Sequence, residues 1–374
     1  MISRKELERR YAALREAMRS AGYEALVVAG GSDYSMRGYV RYVSDWRLFG
    51  GTAYVVFPLE QDPVFVLGLG AQAEWAKALS AIEDTRAVLD KTEGVVNVLK
   101  EMGLSRSNIG VVGLNGIMPY GAGKTLVTSL SGVRFEDATR LMQDVMIVMS
   151  DEEIALAEET HGFVVRVLDR IGEALAPGKT EREVMAEGLH VAASLGCLDG
   201  MAHLSTKAAS GTRPGTDRRF EADDIIKVFL EFSGPSGFLI ELGGVFSFKE
   251  PPEGKRQKFL TVVKAIDRAA ELMRPGVSAG ELCQVIKETY IEDGWKITGR
   301  RLWDFHGQGL NSLMPPIGMP GSEEELEENM MLNIHPGILT EDGWGVSVTH
   351  NYIVTPEGGH SLGNHKPEWH VVSV

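Results

Sequence analysis

Cysteine is nearly missing from this sequence: there are two, Cys197 and Cys283, in 374 residues. Two thiols build no disulfide framework, and their scarcity suits a reducing compartment, so a cytoplasmic location is expected. Long apolar runs are missing too, so no membrane span and no membrane partner are expected. The opening Met1-Ile2-Ser3-Arg4-Lys5-Glu6-Leu7 has no apolar core of the signal-peptide kind. Ser3 with Glu6 three residues on reads instead as a helix start. Positive charge is in deficit: 38 Lys and Arg against 52 Asp and Glu leave a net charge of -14. Phosphate backbones need a basic surface, so nucleic acid is excluded as a partner. What remains is an ordinary globular composition, 44% hydrophobic and 24% charged. At roughly 150 residues per domain, the length suggests two domains.

The first part alternates helix and strand. Residues 5–21 carry apolar positions at helical spacing, and Ala25 to Ala29 form a buried-strand pattern ended by Gly30-Gly31. Further strands are expected at 53–57, 64–67 and 110–113, with helices at 71–80, 92–102 and 120–130. This predicts an α/β domain over 1–149. Gly121-Ala122-Gly123-Lys124-Thr125 ends like a phosphate-binding loop, but the required earlier glycine is Met118, so phosphate binding is not expected.

Ser150-Asp151-Glu152-Glu153 opens a long helix with acids in its first turn, where the helix dipole favours them. A second domain over 150–374 follows. It carries a weak repeat: a helix into Ala176-Pro177-Gly178 and a new helix, then a helix into Arg274-Pro275-Gly276 and another. Its strands alternate. In 225–232, Ile226, Val228, Leu230 and Phe232 share one face and Glu231 opposes them. Glu241 opposes Phe238, Ile240 and Leu242; His335 and Asn333 oppose Met330, Leu332 and Ile334; Thr349 opposes Val346 and Val348. Such a sheet has one packed and one polar face. The polar face is either solvated or a site, and flanking glycines favour close approach of a ligand. His350 falls on the apolar side, as a core histidine. His360, His365 and His370 fall in a polar C-terminal tail with no role assigned.

Phe305-His306-Gly307-Gln308-Gly309-Leu310, Asn333-Ile334-His335-Pro336-Gly337 and Val354-Thr355-Pro356-Glu357-Gly358 resemble, in this order, the signature of the pitta-bread hydrolases, which include creatinase, aminopeptidase P, prolidase and methionine aminopeptidase. The resemblance covers about residues 150–360 and implies the fold: an α/β N-terminal domain and an α+β C-terminal pitta-bread domain, a pseudo-two-fold curved antiparallel sheet covered by helices. The family's peptidases hold two metal ions with two Asp, one His and two Glu. The matching positions here are Glu231, Glu241, His306, His335 and Thr349, with a one-residue gap before Glu241. A substrate-side His expected near Gly211 is missing, and Leu313 stands where a second would be.

These substitutions bear on chemistry. Two close metal ions need bridging carboxylates, but His335 offers single nitrogens and Thr349 is neutral. A two-metal peptidase centre is therefore not expected. The leading expectation is a metal-free, creatinase-like hydrolase that cleaves a C–N bond in a small amino-acid-like or amidine-like substrate. Glu231, Glu241, His306 and His335 would act as acids, bases or nucleophile, one glutamate keeping its proton. The alternative is one divalent metal at Glu241, His306 and His335, a two-His, one-carboxylate set, in an Xaa-Pro dipeptidase-like enzyme or a lyase. A non-catalytic binding module is the third reading. Creatinase-like dimers use an N-terminal-domain Arg to grip a substrate carboxylate in the second copy's site, so the resemblance implies a homodimer. Arg41, Trp46 and Arg47, in the comparable loop region, together with Thr349 as a wall residue, are the candidate substrate-binding groups.

Overall fold

The computed structural model of the protein describes residues 2–206, 211–296, 303–339, 343–363 and 365–373. The chain separates into two compact units, Met1–Met146 with Leu310–Ser312, and Ile147–Gly309 with Leu313–Val374.

The first unit runs α1 (Arg4–Ala21), β1 (Ala25–Gly31), α2 (Gly38–Ser44), β2 (Thr52–Pro58), β3 (Val64–Gly68), α3 (Ala71–Leu79), β4 (Asp84–Val88), α4 (Lys91–Glu101), β5 (Asn108–Val112), α5 (Tyr120–Ser129) and β6 (Arg134–Asp137) into α6 (Thr139–Ile147). Its sheet has the order β4-β3-β2-β1-β5-β6, with β1 antiparallel to β2 and parallel to β5. The uninterrupted apolar run of β1 is buried along its whole length, as expected of a central strand. Gly30 admits α2 against it: a Cβ there would lie 2.6 Å from Val40 Cγ2.

One reading is corrected here. Arg41 lies not in a loop but in α2, all of whose residues are buried. Its Val- and Tyr-rich sequence has modest helix propensity, and burial on every side overrides that. Gly121 to Thr125 lie inside α5, the helix expected at 120–130, and form no phosphate-cradling loop.

The second unit contains α7 (Asp151–Ala174), α8 (Glu181–Ser194), β7 (Asp199–Ser205), β8 (Ile225–Ser233), β9 (Leu239–Ser247), α9 (Glu253–Leu272), α10 (Ala279–Glu292), β10 (Phe305–Gly307), β11 (Met314–Ile317), β12 (Met331–Ile334), β13 (Gly337–Leu339), β14 (Gly345–Ser347), β15 (His350–Thr355), β16 (Gly358–Ser361) and β17 (Trp369–Val371). The Pro-Gly repeat is structural. Gly178 and Gly276 both take left-handed backbone, with φ of 87° and 83°. Two residues on, Thr180 and Ser278 each cap the next helix in a reciprocal box with Glu183 and Glu281.

The strands form the ladders β17-β9-β8-β7 and β11-β10-β12-β15-β16, plus the hairpin β13-β14. The C-terminal tail reading is corrected. His360 lies in β16, while His370 lies in β17, which pairs parallel with β9 and stacks His370 on Phe246. His365 lies beside His350 at 6.4 Å between ring centroids. Cys197 and Cys283 are both buried free thiols.

Candidate active site

Strand alternation places the polar side chains of the second unit on shared faces, and the pairing register brings them together. β8 and β9 pair with Glu231 directly opposite Glu241, a spacing at which side chains on one face touch. β10 and β12 pair with His306 opposite Asn333, and β12 and β15 with Asn333 opposite Asn351. None of this polar face is solvated. Glu231 is 2% exposed, Glu241 4%, His306 4%, His335 7% and Thr349 3%. Buried charge without partners is costly, so the contacts inside this cluster decide what it is.

Glu241 is the hub. One carboxylate oxygen lies 3.4 Å from His306 Nε2 and accepts from Gln308 Nε2 at 3.1 Å. The other lies 3.5 Å from Thr349 Oγ1, which in turn meets Asn333 Oδ1 at 2.6 Å. Its backbone N–H donates to Asn351 Oδ1 at 3.1 Å. Gln308 Nε2 also reaches Glu231 at 3.4 Å, and its Oε1 accepts from Asn351 Nδ2 at 2.7 Å. The Gln308 amide thus supplies donors to both carboxylates.

His306 Nδ1 sits 2.9 Å from the Gly307 carbonyl. Facing a carbonyl, Nδ1 carries a proton, so the neutral ring leaves Nε2 unprotonated and available to a ligand, whereas the imidazolium donates Nε2–H to Glu241. Burial pulls the His306 pKa down. The hydrogen bond and charge of Glu241, the Gly307 carbonyl and the charge of Glu231 outweigh it, so the net shift is upward. His335 lies beside His306, with ring centroids 5.0 Å apart. One ligand atom from each of Glu241, His306 and His335 lies within 4.8 Å of the others.

Two nitrogens and one carboxylate oxygen so gathered fit a single divalent ion. They do not fit a carboxylate-bridged pair of ions. The second nearby carboxylate, Glu231, and Glu241 both take donors from Gln308, and the positions beside Glu241 that would have to supply further bridging carboxylates are the His335 imidazole and the Thr349 hydroxyl.

Arg41, Trp46 and Arg47 belong to the first unit. Arg41 and Trp46 are buried and Arg47 is half-buried. Residue-by-residue reading passed over two groups. Gln308, fully buried, lies inside the Phe305–Leu310 motif, in which only His306 stands out as a chemical group. Lys227 lines a cavity of about 280 Å³ together with His203, His335 and Thr349. Its signal was present in the sequence: in β8, Lys227 is in phase with Glu231.

Ladders of this kind, with buried Glu and His on their inner faces, define a pitta-bread enzyme domain, and known structures agree. The dipeptidase PepE structure from Mycobacterium ulcerans superposes with a TM-score of 0.83 at 23% identity, covering 100% of both chains. The prolidase of Pyrococcus horikoshii gives 0.80 at 21%, over 96% of this chain and 99% of that one. The profile of metallopeptidase family M24 matches residues 155–356, more than half of the chain, and the chain belongs to this family. In sequence it is 26% identical over 245 residues to a probable dipeptidase PepE of Mycobacterium tuberculosis. That match spans 63% of this chain and 64% of the relative, less than two thirds of its length. It is 24% identical over 335 residues to the Xaa-Pro dipeptidase of Pyrococcus furiosus, 86% of this chain and 90% of that protein.

Proposed function

We propose that this protein is a hydrolase of a C–N bond in a small amino-acid-derived substrate, working with one divalent ion held by Glu241, His306 and His335. The observation that carries the reading is the convergence of these three buried groups within 4.8 Å. The family, and relatives named as dipeptidases, support peptide-like substrates. This departs from the metal-free expectation drawn from the substitutions alone.

A bound ion in such a place polarises a carbonyl and acidifies water. The chain's own residues supply the rest. Glu231, outside the ligand trio and held by Gln308, is the base that takes a proton from water and returns it to the leaving nitrogen. The Thr349 hydroxyl, shared with Asn333 Oδ1, lies against the second oxygen of Glu241, and the Gly307 carbonyl sets the His306 tautomer.

A creatinase-like reading uses the same groups without metal, and the direct His306–Glu241 contact favours it as the second choice. There His306 carries the proton to the leaving group. Elemental analysis of purified protein separates the two. About one ion per chain, lost in Glu241→Ala and His335→Ala, is the expected result for a single centre of this kind. Active protein free of metal would transfer the assignment to the second reading, and two ions per chain would overturn both. In either reading His306→Ala lowers turnover by roughly 10²–10⁴-fold. A homodimer in a cytoplasmic setting, with the half-buried Arg47 in preference to the buried Arg41 and Trp46 offered to a second copy's site, completes the proposal and rests on family resemblance.

A further inference from the structure

The cavity beside the Glu–His cluster has walls of opposite character. At about 280 Å³ it lies at the small end of the range for ligand pockets. His335 belongs both to its wall and to the cluster, and Thr349 in its wall contacts Glu241, so the cavity leads to the candidate reacting centre. Away from that centre stands Lys227, only 4% exposed. Lysine is among the residues least often buried, and a buried ammonium is costly. Its Nζ is held by the Gly345 carbonyl at 2.8 Å, at the start of β14, whose Ser347 also lines the cavity. Burial, then the like charge of Lys255, push the Lys227 pKa down to about 8. It therefore remains largely cationic at neutral pH, and an arriving anion stabilises it further.

We infer that this cavity is a carboxylate subsite, in which Lys227 grips the free carboxylate of an amino-acid-derived substrate whose C–N bond lies at the Glu241–His306–His335 cluster. The inference rests on that cluster being the reacting centre, as proposed above. Lys227 and Glu231 are four residues apart on one face of β8, roughly 13 Å between Cα atoms. Two side chains and a dipeptide-sized molecule fill such a span. The polarity also sets direction: a carboxylate is attracted at Lys227, while Glu231, outside the ligand trio, disfavours it at the other end. A purely structural lysine, tying β8 to β14 through Gly345, would impose no such preference.

The test is calorimetric binding of alanylproline and of its C-terminal amide to the full-length protein, with metal content and melting temperature recorded for each variant. The wild type is expected to bind the acid at least about tenfold more tightly than the amide, as befits one charge-assisted hydrogen bond. Lys227→Met should abolish this preference while metal content stays unchanged, and Lys227→Arg should keep it. Should Lys227→Met fold poorly, Lys227→Gln gives the same comparison. An undiminished preference in Lys227→Met or Lys227→Gln overturns the inference, as does equal binding, or no binding, of both probes by the wild type. Failure of the reacting-centre proposal looks different: acid-over-amide preference would persist in a protein that binds no metal and hydrolyses neither probe.

Discussion

Two buried carboxylates facing each other across paired strands need donors between them, and at Glu231 and Glu241 the Gln308 amide provides them. Gln308→Leu removes both donors and also leaves Asn351 Nδ2 without the oxygen it donates to. Stranding buried polar partners in this way should destabilise the protein by roughly 2–4 kcal/mol. Urea denaturation of chelator-treated protein measures it, and an unchanged midpoint would mean that the carboxylates do not depend on this amide. Glu231, Glu241, His306, His335 and Thr349 were visible in the sequence as polar residues breaking apolar alternation beside family motifs. Gln308 had no such signal, because its partners lie on strands 67 and 77 residues away and only the pairing register reveals them. Lys227 had the alternation signal, but a lone lysine in a strand reads as a surface residue until its burial is known.

At the scale of elements, local chemistry that satisfies backbone groups was legible at Ser3 and Ser150, and the structure repeats it at two further helix starts. Ser3, Ser150, Thr180 and Ser278 each accept a hydrogen bond from the backbone N–H of a glutamate three residues on, and each begins a helix. Thr180→Ala removes one such cap and the hydroxyl's bond to the Glu183 carboxylate, while the backbone N–H of residue 180 still donates to it. It should cost about 1 kcal/mol, read as a lowered melting temperature, with Thr180→Ser close to wild type. A loss near zero would show that packing of α8 alone fixes its start. Elements held by long-range partners were harder to read. The α2 start at Arg37 has no side-chain cap. β17 is a three-residue strand in register with β9, more than 120 residues earlier in the chain, too short for a periodicity to show.

For the molecule as a whole, the buried histidines set a limit on acid stability. His161 and His350 meet edge to face with centroids 5.4 Å apart, and His365 lies 6.4 Å from His350. His161 Nε2, His350 Nδ1 and His365 Nε2 are buried without hydrogen-bond partners, while His350 Nε2 meets Ser361 Oγ at 2.7 Å. Burial first, and mutual charge second, lower the His161 pKa to about 4 and that of His350 to about 3. For His365 burial is again the largest cause of a downward shift, against which Asp169 and Glu368 pull upward. In the unfolded chain a histidine titrates near 6.5. The unfolded state therefore binds more protons between the two values, and stability falls as pH drops through this window. Well above pH 6.5 these three histidines contribute little pH dependence; by pH 5, His161 alone should have removed about 2 kcal/mol, a sizeable part of an ordinary folding stability. Glu181 adds to the loss at lower pH. Bound by Arg213 and Thr216 against the cost of its burial, it is held down to about 2, so its stabilisation fades from the ordinary carboxylate range downward. Denaturation midpoints measured from pH 7.5 to 4.5 should decline steeply below pH 6.5, with a shallower decline in His161→Phe, which deletes one proton-binding site of the unfolded state. Equal slopes for the two proteins would mean that His161 takes up its proton in the folded protein as readily as in the unfolded chain, and that this histidine cluster does not govern the acid limit.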